Sequence, residues 1–203
     1  SCRRIIDSAK MPLAGSVEVF QADSRRMDIS RKVDIVITSP PYVNRMSYIR
    51  ELRPYMYWLK FINEAKEAGE LDWKAIGGTW GTATSKLNNW SDERKLPIQE
   101  IKTITEKIAQ GDSKNGRLLG NYVMKYFYDM WEHFLALHET VNNGGSIVYI
   151  IGNSSFYGNV VPAEKWYGEL MAHAGFKEVQ IETIRKRNSN KALYEFAVRA
   201  KRI

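Results

Sequence analysis

The order of apolar runs along the chain predicts an α/β fold with a mostly parallel sheet. Short, near-continuous apolar runs, which suit strands buried on both faces, alternate with longer stretches at helical spacing. Glycine or proline closes most of these runs, so the element ends are marked as well as their interiors.

Residues 2–10 read as the end of a helix, broken by Pro12 to Gly15. In SVEVFQAD, Val17, Val19 and Phe20 make a candidate buried strand, which Asp23 closes. After the polar turn SRRMDISRK, Val33, Ile35, Val36 and Ile37 form the run expected of a central parallel strand. That strand must stop at Pro40-Pro41, because proline lacks the backbone N–H a sheet needs. From about 44 to 118 the pattern changes to aromatic, charged helices and the loop IGGTWGTATSKLNNW, which reads as an insertion on the core. A long amphipathic helix follows from about Gly120 to Val141, with Met124, Phe127, Met130, Trp131, Phe134 and Leu137 at helical spacing, and Asn142 to Gly145 stop it. SIVYIIGNS is the next strand, and WYGELMAHAGF is a helix ended by Gly175. KEVQIETIRKR and ALYEFAVRAKR read as a terminal antiparallel pair.

Length and composition set the limits. The 203 residues fit one domain spanning 1–203, and 44% hydrophobic with 26% charged residues is a globular balance that excludes wholesale disorder. There is no run of eighteen apolar residues and no secretory leader at SCRRIIDSAK, so the expectation is a soluble, cytoplasmic protein. The single cysteine, Cys2, excludes an internal disulfide, and His133, His138 and His173 give no metal-ligand spacing with it. Thirty Lys and Arg against 23 Asp and Glu give a charge of +7, which suits a polyanionic partner. Because the chain starts at Ser1 and its first strand candidate follows a short basic segment, further sequence is expected upstream.

The most specific feature is Thr38-Ser39-Pro40-Pro41-Tyr42, placed at the C-terminal end of a strand, where open α/β sheets bind ligands. A plain strand end with Tyr42 packed on a neighbour is the bland alternative. Ser39-Pro40-Pro41-Tyr42 resembles the catalytic tetrapeptide of the S-adenosylmethionine-dependent DNA amino-methyltransferases, (Asp, Asn or Ser)-Pro-Pro-(Tyr or Phe). The resemblance implies a Rossmann-like class I methyltransferase core ending in an antiparallel hairpin.

Chemistry gives the tetrapeptide its reason. An exocyclic amine has its lone pair spread into the ring, so two hydrogen-bond acceptors are needed to localise it. By resemblance those are the Ser39 side chain and the Pro40 carbonyl, held rigid by Pro41, while Tyr42 stacks on a base swung out of the duplex. The resemblance likewise assigns Asp23 to the adenine amino group of S-adenosylmethionine, with Ser24 and Thr38 beside it. An ordinary turn-forming Asp is the even alternative for Asp23.

Double-stranded DNA is the implied partner. The tail RKRNSNKALYEFAVRAKR resembles a basic, aromatic hairpin loop near the target base, so Arg185, Lys186, Arg187, Lys191, Arg199 and Lys201 are candidate phosphate contacts, a solvated charged edge being the alternative. Trp73, Trp80 and Trp90, with nearby Thr and Asn residues, make the insertion a candidate recognition element, whereas Trp58, Trp131 and Trp166 lie in helical patterns that favour packing. Arg45, Arg50 and Arg53 follow the tetrapeptide, to clamp DNA or to pair with Glu51 and Glu64.

One family signature is missing. The glycine-rich turn Phe-X-Gly-X-Gly that approaches the methionine part of the cofactor is absent, and Gly77-Gly78, Gly144-Gly145 and Gly152 do not replace it. The first strands are therefore expected to lie in an upstream segment or a second chain, unless the domain is a non-catalytic DNA-binding subunit. Ser at the first tetrapeptide position resembles enzymes acting on the 4-amino group of cytosine, where adenine enzymes carry Asp. RNA or protein amino-methylation is the other enzymatic alternative.

Overall fold

The computed structural model describes residues 15–203 apart from 28, 30, 45, 46, 80, 81, 92, 93, 113 and 188–191. In chain order the elements are β1 (Val33–Thr38), α1 (Tyr48–Trp58), α2 (Ala65–Lys74), α3 (Thr82–Asn88), α4 (Gln99–Gln110) and α5 (Gly116–Thr140), followed by β2 (Val141–Gly152), β3 (Ser154–Phe156), β4 (Asn159–Val161), α6 (Ala163–His173), β5 (Lys177–Lys186) and β6 (Tyr194–Lys201). The region expected as an insertion thus holds α1 to α4.

The main sheet is mixed, with strand order β1-β2-β6-β5. Among the described residues only β1 and β2 pair in parallel, while β6 runs antiparallel to both β2 and β5. This corrects the expected mostly parallel sheet. The crossover through α6 brings β5 back in the direction of β2 but one strand away, and the terminal hairpin folds β6 into that gap.

Packing gathers on α5, the element the periodicity described best. Its Phe127, Met130, Phe134 and Leu137 are buried against Ile147, Tyr149 and Ile151 of β2 and Trp166, Tyr167 and Leu170 of α6. Aromatic rings meet edge to face there: Phe127 lies 4.9 Å from Trp166, and Phe134 lies 5.3 Å from both Tyr149 and Tyr167. Of the other tryptophans expected to pack, Trp131 is partly buried against this core, but Trp58 is 79% exposed at the end of α1. Trp58 is therefore a correction: α1 has no buried residue, so its aromatic positions have no core to enter.

Two strand expectations fail for a related reason. Val17 and Val19 are 90% and 91% exposed and belong to no strand. The candidate central strand, β1, is instead an edge strand among the described residues, with Val33 and Val36 against the core but Ile35 and Ile37 59% and 70% exposed. Apolar alternation fits a residue for a sheet, but a covering element decides whether it is buried.

The expected stop at Asn142 to Gly145 lies inside β2 as a bulge. Pairing with β1 jumps from Val33–Val141 to Ile35–Ser146, Gly144 takes a left-handed φ of 83°, and its N–H donates to Arg202 O at 2.7 Å. A Cβ on Gly145 would come within 2.6 Å of Val141, so the bulge closes only around glycine. One hairpin has a short signal, the Tyr157-Gly158 pair: both residues have positive φ (48° and 80°), the two-residue turn that joins β3 to β4. Among the described residues no helix is long and apolar enough to cross a membrane.

Phe127 joins α5 to α6, so Phe127→Ala is expected to cost about 3–5 kcal/mol of stability in urea unfolding. A loss below about 1 kcal/mol would mean that the ring cluster does not hold the two helices together.

Candidate functional site

β1 delivers the tetrapeptide to the open end of the sheet. Pro40 and Pro41 cannot continue the ladder, and the chain turns away with Asn44 N–H donating to Tyr42 O at 2.8 Å. The turn is fixed from beneath, where the buried Tyr126 hydroxyl donates to the Pro41 carbonyl at 2.6 Å and lies 2.6 Å from the Tyr167 hydroxyl. Tyr126 has one proton and gives it to Pro41, so Tyr167 must be the donor to Tyr126. Burial pushes both phenols well above their ordinary range, which keeps the relay neutral.

On one side of this turn lies a cavity of about 590 Å³ lined by Thr38, Ser39, Pro40, Pro41 and Ser24, with Met130 and His133 of α5 and Tyr149 of β2. Ser39 is exposed there. The structure thus brings Ser24 to the candidate catalytic residues, although the two segments are separated by β1.

Tyr42 faces the other way and is half-buried. The Arg187 guanidinium lies 5.6 Å from the centre of its ring. A Cβ on Gly152 would approach both Tyr42 and Arg187 to 3.0 Å, so glycine at the end of β2 lets this stack form. Burial raises the Tyr42 phenol, while a hydrogen bond with Ser39 and the charge of Arg187 oppose that rise. Its hydroxyl reaches Glu195 Oε1 at 3.5 Å, and the other oxygen of Glu195 accepts from Arg185 Nε at 2.6 Å. That Arg185 contact is also what draws the Glu195 carboxyl below its ordinary range.

Asp23 and Ser24 are held by residues the sequence did not point to. Arg25 donates to Asp23 Oδ2 at 2.8 Å, to Asp129 Oδ1 at 2.9 Å and to Lys74 O at 2.8 Å, and Lys125 donates to Asp129 at 2.5 Å. The hydrogen bond from Arg25 lowers the Asp23 carboxyl. Asp23 and Ser24 also line a second, open cavity of about 740 Å³ with Arg25 and Lys74. His133 lies below Ser24, with Nδ1 2.7 Å from the Ser24 carbonyl and Nε2 2.5 Å from the Tyr149 hydroxyl. A carbonyl only accepts, so Nδ1 carries the proton and Nε2 accepts from Tyr149. A signal for this support existed: Lys125, Asp129 and His133 stand four residues apart on α5, among the apolar positions of the core.

The remaining candidates are placed as follows. Arg50 is exposed in the first turn of α1, its backbone N–H donating to the capping Ser47 hydroxyl at 3.0 Å. Arg187 also donates to Asn153 O at 3.1 Å. Arg199 and Lys201 pair across the terminal hairpin with Glu182 and Glu178, as a solvated charged edge does. Within the insertion, Trp73 has the ammonium groups of Lys86 and Lys125 over its ring at 5.2 and 5.0 Å, and Trp90 meets Tyr128 at 5.8 Å. Arg45, Trp80 and Lys191 lie outside the described residues. Among the described residues no cluster of His, Cys, Asp and Glu is arranged to hold a metal ion.

In an alignment of 176 positions that covers 77% of the chain, the chain is 26% identical to the Type II methyltransferase M.BsoBI of Geobacillus stearothermophilus. The aligned stretch covers 34% of that protein, so the chain spans about a third of the length of the curated relative it matches. No family model matches the chain. No solved structure matches it either.

Burial lowers the His133 imidazole below its ordinary 6.5, against the opposing pull of the Ser24 carbonyl and the Asp23 charge. The folded protein then binds fewer protons than the unfolded chain in the interval below 6.5, so the contribution is complete above 6.5 and is lost as pH falls through that interval. Urea midpoints measured on both sides of 6.5 should fall on the acid side, and His133→Gln should flatten that slope. An unchanged slope would place the titrating group elsewhere.

Proposed function

We propose that this chain carries the catalytic end of a DNA amino-methyltransferase, which transfers a methyl group from S-adenosylmethionine to the exocyclic amino group of a swung-out base, cytosine in preference to adenine. The observation that carries this reading is Ser39-Pro40-Pro41-Tyr42 at the C-terminal end of β1, opening on the cavity that Ser24 and Thr38 also line. The similarity to M.BsoBI, a Type II methyltransferase by name, supports the methyl-transfer part of this reading.

Ser39 and the Pro40 carbonyl accept the two amino hydrogens and turn the nitrogen lone pair toward the methyl group. The Pro41 carbonyl is already engaged by Tyr126, which holds the turn while Pro40 presents its own carbonyl. Tyr42, steadied by Arg187, stacks on the base and offsets part of its unstacking cost. S-adenosylmethionine, when bound, supplies the electrophilic methyl group. Its adenosine suits the cavity beside Ser24, which combines hydroxyls and backbone with the apolar surfaces of Met130, Val36 and Ile76. Arg25 takes both oxygens of Asp23 and orients that carboxylate for an amino or hydroxyl partner.

The edge of β1, unpaired among the described residues, favours a Rossmann-like core whose remaining strands, with the glycine-rich turn, come from upstream in the same polypeptide or from a second chain. Ile35 and Ile37 would be covered when those strands pair. Arg45, Arg50, Arg185 and Arg187, with Trp80 in the insertion, are proposed to face double-stranded DNA.

The full-length enzyme, incubated with DNA and labelled S-adenosylmethionine, should yield methylated cytosine on mass spectrometry of the product nucleosides. Methyladenine as the sole product would overturn the base assignment, and transfer to RNA or protein alone would overturn the DNA reading. Ser39→Ala and Tyr42→Ala should each lower kcat by about a hundredfold or more while cofactor binding persists.

A further inference from the structure

On the face of α5 opposite the candidate cofactor cavity lies a third hollow, of about 580 Å³, a size that suits a small ligand. A helix turns about 100° per residue, so Asn121, Met124 and Tyr128 share one face of α5, while Met130 and His133 of the cofactor cavity point the other way. The remaining walls are the chain between α3 and α4, from Trp90 to Leu96, and the start of α4 with Lys102. The proposed methyl transfer makes no use of this hollow.

Its aromatic wall is fixed in place. The half-buried Trp90 ring meets the Tyr128 ring edge to face at 5.8 Å, and Asn121 Nδ2 donates to the carbonyls of Leu87 and Trp90 at 2.7 and 3.3 Å. The Tyr128 hydroxyl donates to the Arg94 carbonyl, and the Arg94 guanidinium pairs with Glu132 and lies 5.2 Å from the centre of the Tyr128 ring. Arg94 thus belongs to the scaffold, its charge balanced by Glu132. Two other cations in the lining have no such role. Lys95 and Lys102 are exposed, and neither forms an ion pair or a hydrogen bond among the described residues. No carboxylate lines the hollow among those residues either. Asn121, with its Nδ2 engaged, keeps Oδ1 as an accepting group. Uncompensated lysines suit an anion such as phosphate, and a tryptophan face suits a flat ring.

We propose that this hollow binds a nucleotide, with its phosphate at Lys95 and Lys102 and its base against Trp90, at a site separate from that of the proposed methyl transfer. The site does not depend on the methyltransferase reading. A lone phosphate leaves the ring wall uncovered, and an uncharged nucleoside brings no counterion to the two ammonium groups, so each half alone binds more weakly than the whole. Occupancy also bridges two helices, since Lys102 stands on α4 and Asn121 and Tyr128 stand on α5.

Calorimetry on the full-length protein tests this with uridine 5′-monophosphate and guanosine 5′-monophosphate. Neither carries the adenine of the cofactor or the amino group methylated in the proposed reaction. At least one should bind at a single site per chain, and uridine, guanosine and inorganic phosphate should each bind at least about tenfold more weakly. Replacing both lysines, Lys95→Gln with Lys102→Gln, should weaken nucleotide binding by about tenfold or more and reduce its salt dependence. The thermal midpoint of that variant should hold, because both side chains are exposed and unpaired among the described residues. Saturating S-adenosylhomocysteine should leave the nucleotide in place. A short oligothymidine that displaces the nucleotide would assign the site to a nucleotide of a DNA strand, and one that leaves it bound would assign the site to a free nucleotide. Failure of both nucleotides to bind at millimolar concentration, undiminished binding in the double variant, or displacement by S-adenosylhomocysteine would each overturn the site. Methyl transfer to DNA is read in its own assay, so either reading can fail while the other stands.

Discussion

The Tyr126 hydroxyl holds the Pro41 carbonyl from inside the core, and the open end of the sheet takes its shape from that contact. A strand that ends in two prolines has no ladder to follow, so its direction beyond Thr38 must be set by something else. Here a neutral relay from Tyr167 through Tyr126 reaches up from α6 and α5, two helices already locked together by Phe127 and Trp166. With all of these rings buried, water cannot stand in for either hydroxyl, and losing that of Tyr126 would remove the donor to the Pro41 carbonyl.

From that fixed point the tetrapeptide sends its side chains to two sides. Thr38, Ser39 and the prolines look toward the cavity that Ser24 shares, and Tyr42 turns to Arg187 and the end of β2. Each side has its own support. The ladder of Lys125, Asp129 and His133 on α5 carries the Asp23 to Arg25 turn, while Asn153, the residue before β3, bonds Arg187 just after β5, Ala192 and Tyr194 of β6.

Much of the scaffold was legible beforehand because its signals are local. The apolar face of α5, the glycine that ends the helix before β5, and the pairing of the last two strands all follow from spacing and from turn residues near in sequence. The misreadings share a physical cause. Val17, Val19, Ile35 and Ile37 have the alternation of sheet residues, but alternation states only that a residue suits a covered face. Trp58 fails in the same way, since helical spacing aligns side chains without supplying a surface to bury them. The basic run around Arg187 gave no sign that its guanidinium lies on Tyr42 and the Asn153 carbonyl, since both partners are remote in the chain.

By itself the sequence determined the rigid Ser39-Pro40-Pro41-Tyr42 turn, its place at a strand end, and the order of helices and strands around it, because covalent geometry and short-range periodicity act within a few residues. Tertiary structure alone decided which side chains surround that turn. The Lys125, Asp129 and His133 support, the Tyr126 anchor and the stack of Arg187 on Tyr42 all join segments remote along the chain. Such contacts arise only when packing brings distant segments together, and no local pattern encodes them.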